Sequence, residues 1–476
     1  MRIDFIGNAN SYPLSILRGM RDLGIDAHLH LLDDYYLNAP ENRFAEYLKG
    51  YPQWIHDWRP CNIPFYFDLE KISAIQKELD KADALVLNLG GLFFGTHSNK
   101  PYFCLLTGTD LLTYATSDIL QANSYFTGID YPTELSTCLH LEVLLNSVDF
   151  FRNCIREANG YSYFPRALQP QAQKILESIG ALEDRQYPLL VTDVDEIAYI
   201  PPRERSEQSP LRVILAARCT WDKKASPQLS QQDDKGTDVF LHGAALAIHQ
   251  GIPLDIHMFR KGTHLEQTEE LTHILGLTPH ITWHAEATQQ DFFKHLEQCD
   301  VVVDSVGTSH IGMAATDSMA LGKPVIANRP DHQLWGIPQP FPILHALSPQ
   351  EVSNNLIRLH SDATLYMRIA KDSRNFAEKY LHRDYSINKI LSALQRPKPN
   401  HTHKTSPTID ARWNLQQYYA KAFSKNKEQI KILNHIEDIL NFKPADMMYM
   451  DKNKTVVRLM SWFLHKYLHY IKKKRM

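Results

Sequence analysis

Short apolar runs alternate with amphipathic stretches between residues 212 and 327, and this alternation constrains the fold more than any other feature. Five runs have the length of buried strands, at residues 213–216, 254–259, 281–283, 301–303 and 325–327. Helical spacing lies between and after them, at residues 238–250, 265–275, 289–298 and 313–321. Glycines that favour a helix stop follow three of these helices, at Gly251, Gly276 and Gly322. The pattern predicts a doubly wound α/β domain with a parallel sheet.

The amino-terminal part shows a looser version of the same alternation. Apolar runs at 3–7, 27–32, 84–89 and 103–106 predict strands. Pro13 suits a first helical turn, with Asn10 or Ser11 as its cap and Gly24 at its end. This is a βαβ opening, which predicts a second parallel sheet, whereas residues 111–190 are less regular and mostly helical.

Two proline-rich polar stretches divide the chain, at residues 200–206 and 396–403. We therefore expect an amino-terminal Rossmann-like domain over 1–200, a second over 201–395, and a linker with a basic helical tail over 396–476. A length of 476 residues is sufficient for two or three domains.

Charge and cysteine content exclude several classes of protein. The 51 Lys and Arg nearly balance the 54 Asp and Glu, so no overall charge predicts a nucleic-acid partner. The six cysteines show neither zinc-ligand spacing nor a disulfide framework. The amino terminus lacks a signal-peptide pattern, and no run of about 18 apolar residues is present. We expect a cytoplasmic protein.

The segment from Gly307 to Ala327 is the most informative for function. A glycine-containing loop follows the run at 301–303 and leads directly into the predicted helix at 313–321. Free N–H groups and the helix dipole favour an anion there, and a diphosphate would fit beside Gly312, Met313 and Ala314. Asp317 follows about one turn later, where a carboxylate can accept both ribose hydroxyls. A tight turn without a ligand is the alternative.

This segment resembles the carboxyl-terminal half of GT-B glycosyltransferases, of the large retaining group that includes glycogen and sucrose synthases. Met319-Ala320-Leu321-Gly322-Lys323-Pro324-Val325 matches the end of that family's motif, and Asp317 matches its second Glu. Ser309 stands where the family has its first, sugar-contacting Glu. The resemblance implies a GT-B fold, with two Rossmann-like domains facing across a cleft, and a donor site that includes Gly307 and Ser309.

Two cations upstream match the same family. Arg218 ends the first strand of this domain, and Lys235-Gly236 opens the next helix. The resemblance implies that both bind the donor diphosphate and stabilise charge on the leaving group. Because their spacing is longer than usual, Lys223 and Lys224 are alternatives to Lys235.

In the amino-terminal half the family often carries His-Gly-x-Asp, and this chain has Thr107-Gly108-Thr109-Asp110. Asp110 is therefore a candidate catalytic residue, with a structural turn or cap as the alternative. Thr107 replaces the sugar-contacting His. Asp193-Val194-Asp195 imitates a metal-binding motif of another fold, but it precedes the domain joint, and the resemblance implies neither a metal nor a cofactor.

The resemblance implies a retaining transferase that uses a nucleotide-diphosphate sugar and a hydroxyl of a glycan or lipid-linked glycan. A catalytically silent subunit that binds a glycan or a partner enzyme is the alternative, and a sugar-nucleotide epimerase is a third.

The last 22 residues, 455–476, form an apolar pattern at helical spacing with a basic end at Lys472–Arg475. Such a segment predicts an anionic membrane surface as a partner, on the inner face of the membrane. A helix packed on the domains or on a second subunit is the alternative.

Overall fold

A computed structural model of the chain describes residues 1–399 except 34, 60–68, 96–97, 117–147, 149–150, 166–167, 205, 207, 227–228, 230–232 and 308–309. The described part contains two parallel sheets of six strands each. The first comprises β1 (Arg2–Ile6), β2 (Asp26–Leu31), β3 (Ile55–Asp57), β4 (Ala84–Leu87), β5 (Tyr102–Leu105) and β6 (Gly160–Ser162). The second comprises β7 (Leu211–Leu215), β8 (Leu254–Phe259), β9 (Ile281–His284), β10 (Val301–Val303), β11 (Val325–Ala327) and β12 (Ile343–His345).

The two sheets have the same topology. Their strand orders are β3-β2-β1-β4-β5-β6 and β9-β8-β7-β10-β11-β12. In each sheet the first and fourth strands of the chain lie side by side, and the direction in which successive strands are added reverses between them. In an open α/β sheet this reversal leaves a crevice at the carboxyl ends of the strands, where ligands bind. The predicted pair of Rossmann-like domains is confirmed, and the two crevices define where sites are expected.

Helices cover both faces of each sheet. The first domain has α1 (Tyr12–Asp22), α2 (Pro40–Arg43), α3 (Leu69–Leu79) and α4 (Pro170–Ile179). The later helices are α5 (Thr237–His249), α6 (Leu265–Ile274), α7 (Gln289–Gln298), α8 (Met313–Leu321), α9 (Pro349–Ser361), α10 (Ala363–Phe376) and α11 (Arg383–Leu394). None of the helices within these described residues has the length and apolarity to span a membrane.

Burial on both faces of the sheet explains why the strands of the second domain could be predicted from the sequence. All three valines of β10 are fully buried, between one cluster around Phe240 and another around Met319. A strand that is covered on both sides reads as a continuous apolar run. Gly322 then ends α8 with a φ of +80°, a left-handed conformation that glycine adopts without strain.

Two local predictions are wrong. The strand β11 does not close the series, because Ile343–His345 adds β12 beside it. Neither Asn10 nor Ser11 caps α1 with its side chain. The Asn8 side chain caps this helix instead, because its Oδ1 accepts the Leu14 N–H at 3.1 Å.

The chain crosses between the domains twice at nearly one point. Val191 packs in the first core and Val194 in the second, so the first crossing lies around Asp193. Leu381 belongs to the second core, whereas Ile387 in α11 belongs to the first. The Thr192 N–H donates to the Leu381 carbonyl at 2.9 Å, which joins the two crossings. Both lie upstream of the divisions predicted at 200 and 395.

Candidate active site in the second domain

The carboxyl edge of the second sheet brings three predicted segments together. Arg218 follows β7, Lys235 precedes α5, and Gly307 follows β10. The Lys235 backbone connects the three segments. Its N–H donates to the Thr220 carbonyl at 2.8 Å, and its carbonyl accepts the Val306 N–H at 3.1 Å. Residues that are far apart in sequence therefore meet at the predicted crevice.

Two glycines make this meeting possible. Gly236 has a φ of +67°, and a Cβ there would lie 2.3 Å from the Gly307 backbone nitrogen. A Cβ on Gly307 would lie 2.6 Å from the Gly236 nitrogen. The two loops pack backbone against backbone, so only glycine fits at either position.

The amino-terminal end of α8 opens beside these loops. Gly312 is exposed, and Met313 and Ala314 are half-buried, so the first turn is reachable. The N–H groups of a first turn have no acceptors within their own helix. The Gly312 N–H is already engaged, because it donates to Asp304 Oδ2 at 2.9 Å. The N–H groups of Met313 and Ala314 are those that an anion can use.

Cations and carboxylates are mixed around this helix end. Burial lowers the pKa of Lys235, and the nearby Asp304 carboxylate opposes that shift. Arg218 is half exposed and lies 3.4 Å from Asp233. Lys223, one of the predicted alternatives, lies 2.8 Å from Asp234. The edge therefore offers several positive groups to a diphosphate, each with a carboxylate nearby.

His264 supports the loop that follows Arg218, and sequence reasoning missed it. Its side chain is buried, and its Nδ1 accepts the N–H groups of Trp221 and Asp222 at 2.9 and 3.0 Å. Its Nε2 lies 2.8 Å from Ser226 Oγ. Because Nδ1 accepts two hydrogen bonds, the proton is on Nε2, which assigns a neutral imidazole.

Asp317 does not face this opening. The Arg43 guanidinium of the first domain donates to both Asp317 oxygens, at 3.2 and 3.3 Å, and the Thr192 hydroxyl donates at 3.0 Å. Burial raises the pKa of Asp317, whereas Arg43 opposes that shift. Its role as a ribose ligand stays a prediction, and in this arrangement a ribose would have to displace Arg43.

Asp110, the candidate catalytic residue of the first domain, is fully buried. Its carboxylate accepts the N–H groups of Thr107 at 2.9 Å and Gly108 at 3.0 Å, and the Asn88 amide at 3.3 Å. Burial raises its pKa to about 6. These contacts fit the structural alternative, in which Asp110 shapes the turn after β5. Thr107 itself is half-buried at the rim.

Backbone strain marks the same edge of the first sheet. Within the described residues, the positive φ angles outside glycine belong to Asn10, Ser11 and Leu89, at +51°, +57° and +49°. Such conformations cost of order 1–3 kcal/mol each and cluster at functional sites. They follow β1 and β4 at the carboxyl edge of the first sheet, where an acceptor is expected.

Some predicted features lie outside the described residues. These are Ser309 and residues 400–476, which hold nearly all of the linker and helical tail predicted over 396–476, with its basic end at 455–476. The neighbouring His310 is described, and its Nε2 lies 2.8 Å from the Leu168 carbonyl of the first domain.

Comparisons with known proteins agree with this geometry. The family model described as "Glycosyl transferases group 1" matches residues 228–362, which include the meeting loops from Lys235 to α8. None of the curated proteins matches the sequence.

Solved structures extend the likeness to both domains. Anabaena HepE in complex with UDP-glucose is 14% identical, with a TM-score of 0.52, over 83% of this chain and 99% of that one. Sucrose-phosphate synthase from Thermosynechococcus elongatus is 14% identical, with a TM-score of 0.50, over 89% and 99%. A glycosyltransferase from Rickettsia africae is 14% identical, with a TM-score of 0.52, over 83% and 97%. At this identity these likenesses define the fold.

The chain is thus a two-domain protein of the GT-B fold. The group 1 match in its second domain identifies it as a glycosyltransferase, as the resemblance at residues 307–327 predicted.

Proposed function

We propose that this glycosyltransferase moves a sugar, with retention of configuration, from a nucleotide-diphosphate sugar to a hydroxyl of a glycan or lipid-linked glycan. The observation that carries the proposal is the convergence of Arg218, Lys235 and the Gly307 loop on the opening of α8. A departing diphosphate needs fixed positive charge and N–H donors, and this edge offers both.

The residues have distinct tasks in this proposal. Arg218 and Lys235 stabilise the charge that develops on the leaving diphosphate, and the N–H groups of Met313 and Ala314 bind its oxygens. The acceptor enters from the strained edge of the first sheet, near Asn10 and Thr107. No side-chain base is assigned, because the leaving phosphate itself helps to take the acceptor proton.

A uridine nucleotide is the donor class that we propose first. The Anabaena HepE structures contain UDP or UDP-glucose, and their fold is similar over more than four-fifths of this chain. UDP is therefore the probe for binding and UDP-glucose the first donor for turnover.

Arg218→Ala tests the proposal, with Arg212→Ala as its matched control. Arg218 follows β7, and Arg212 lies near the start of the same strand. Their side chains are about equally exposed, at 50% and 44%, and each lies 3.4 Å from one Asp. Arg212 lies at the opposite edge of the sheet. We expect Arg218→Ala to lower kcat/KM about 10²–10³-fold without lowering the melting temperature, and Arg212→Ala to match wild type.

Equal turnover in Arg218→Ala and Arg212→Ala would contradict the donor site. No binding of UDP or of other nucleotide diphosphates to the wild type would favour the silent-subunit alternative. Conversion of UDP-glucose to another nucleotide sugar without an acceptor would favour the epimerase.

We further propose that residues 455–476 bind an anionic membrane surface. Each Lys or Arg near anionic lipid contributes about 1 kcal/mol, and the segment ends in four basic residues before Met476. Deleting 452–476 should move the protein from the vesicle pellet to the supernatant when vesicles contain phosphatidylserine. Equal sedimentation of both forms would refute this contact.

A further inference from the structure

Arg43 of the first domain contacts two buried carboxylates, one at the first domain crossing and one in the second domain. Arg43 ends α2, and its Nε donates to Asp193 Oδ2 at 3.0 Å while Nη1 and Nη2 reach Asp317 at 3.2 and 3.3 Å. The three side chains are 4%, 2% and 7% exposed. Removing the arginine from a cluster this deeply buried would leave two carboxylates without a counter-charge.

Two hydroxyl groups complete the cluster, one from α1 and one from the first crossing. Thr192 Oγ1 donates to Asp317 Oδ1 at 3.0 Å, and Ser15 Oγ of α1 donates to Asp193 Oδ2 at 2.8 Å. Asp193 Oδ1 is buried and has no hydrogen-bond partner among the described residues. One guanidinium therefore pairs with two buried carboxylates, and Arg43 is the member on which the cluster most depends.

The cluster lies where the chain crosses between the domains. Asp193 is at the first crossing, and Thr192 bonds to the second crossing at Leu381. Asp317 lies in α8, one turn beyond Met313, at whose N–H the donor phosphate is proposed to bind. The Asp317 carboxylate thus connects the two domain crossings, which we call the hinge, to the helix that is proposed to bind the phosphate.

We propose that Arg43, Asp193 and Asp317 form a buried hinge lock, in which Arg43 is a positioning residue for the phosphate-binding end of α8. The lock fixes the angle between the domains and the placement of that helix toward the first domain. Asp317 serves this lock rather than the ribose. The positioning role rests on the proposed donor site, whereas the mechanical role of the lock does not.

Asp317→Asn separates a lock residue from a ribose ligand. Calorimetry compares UDP with 2′,3′-dideoxy-UDP, which lacks the two hydroxyls that a ribose-binding carboxylate would accept. The lock predicts that Asp317→Asn weakens both nucleotides by the same factor, about tenfold. Loss confined to UDP would overturn the proposal in favour of the ribose role, and unchanged affinity for both would also overturn it.

Arg43→Met tests the mechanical role, with Arg185→Met as the matched control. Arg185 is also buried, but its Nη1 donates to the carbonyls of Asn159 and Pro397, away from the second domain. Small-angle X-ray scattering should give a larger radius of gyration for Arg43→Met and wild-type values for Arg185→Met. Adding Asp317→Asn to Arg43→Met should weaken UDP no further, because both changes break one cluster.

Wild-type scattering from Arg43→Met, or full additivity with Asp317→Asn, would overturn the lock. If Arg43→Met does not fold, Arg43→Lys provides the same test, since it keeps the charge but cannot span both carboxylates. Failure of the wild type to bind any nucleotide would sink the donor site, while the scattering comparison would still decide the hinge lock.

Discussion

The two sheets share one strand order, yet the crevices at their carboxyl edges differ in chemistry. In the first sheet the buried Asp110 and the Asn88 amide fill the crevice. In the second sheet Arg218 and Lys235 stand beside an open helix end. The same fold thus gives one edge whose buried carboxylate is hydrogen-bonded within the domain, and another where cations and carboxylates surround an open helix end.

Backbone also meets backbone at the carboxyl edge of the first sheet. A Cβ on Gly7 would lie 2.1 Å from the Asn88 carbonyl oxygen, and one on Gly91 would lie 2.2 Å from that of Ile6. The loops after β1 and β4 therefore touch directly, as the loops at Gly236 and Gly307 do in the second sheet. Close backbone packing is common to both edges, so topology supplies the crevice and a few side chains decide whether it binds a ligand.

Lys235→Met should have the largest effect on the difference between the two crevices. It removes a half-buried charge from the second edge while keeping the length of the side chain, so we expect kcat for donor hydrolysis to fall about 10²–10³-fold. Lys294→Met, at an exposed position in α7, is the control and should match wild type. Comparable rates for the two variants would remove Lys235 from the donor site.

Gly236→Ala should have a smaller effect, on both stability and binding. The new Cβ would meet the Gly307 backbone and distort the meeting of the two loops, so UDP affinity should fall about tenfold. Gly251→Ala is the control, because Gly251 also has a positive φ but its Cβ would meet open space. The control should lose about 1–2 kcal/mol of stability with UDP affinity unchanged. Equal UDP affinities would contradict the packing of these loops.

Asp110 should make the first edge sensitive to pH. Its pKa is raised from 3.8 to about 6, so the folded state holds the proton more tightly than the unfolded state. Its contribution to stability is therefore greatest at low pH and falls as pH rises from about 4 to 6, by at most ~1.4 kcal/mol per pH unit. Urea unfolding of wild type and Asp110→Asn from pH 4 to 7 measures this slope. Parallel curves would show that Asp110 does not titrate in this range.

Much of the second domain could be predicted because its signals are local. The bounds of β8, α7, β10, α8 and β11 agree with the apolar runs and glycine stops. The strand β12 was missed because it has three residues and follows Pro338, Pro340 and Pro342, which suggest a loop. Local pattern is informative where a strand is long or buried on both faces, and weak elsewhere.

The surroundings of the candidate site could be predicted only in part. Arg218, Lys235 and Gly307 were found through a motif, and the structure brings them together. The contact between Arg43 and Asp317 joins residues 274 positions apart, so no sequence spacing indicates it. The packing of α11 on the first core is likewise a long-range contact. Asp304 had a usable signal, since it is an acidic residue directly after a buried strand.

Hydrogen exchange with and without UDP reports on both crevices in one experiment and so shows which domain binds the nucleotide. A donor site in the second domain predicts slower amide exchange at 235–237 and 310–316 when UDP binds, and unchanged exchange at 7–11 and 88–91. Protection at 7–11 and 88–91 with none at 310–316 would place the nucleotide in the first domain and contradict the assignment of the donor site.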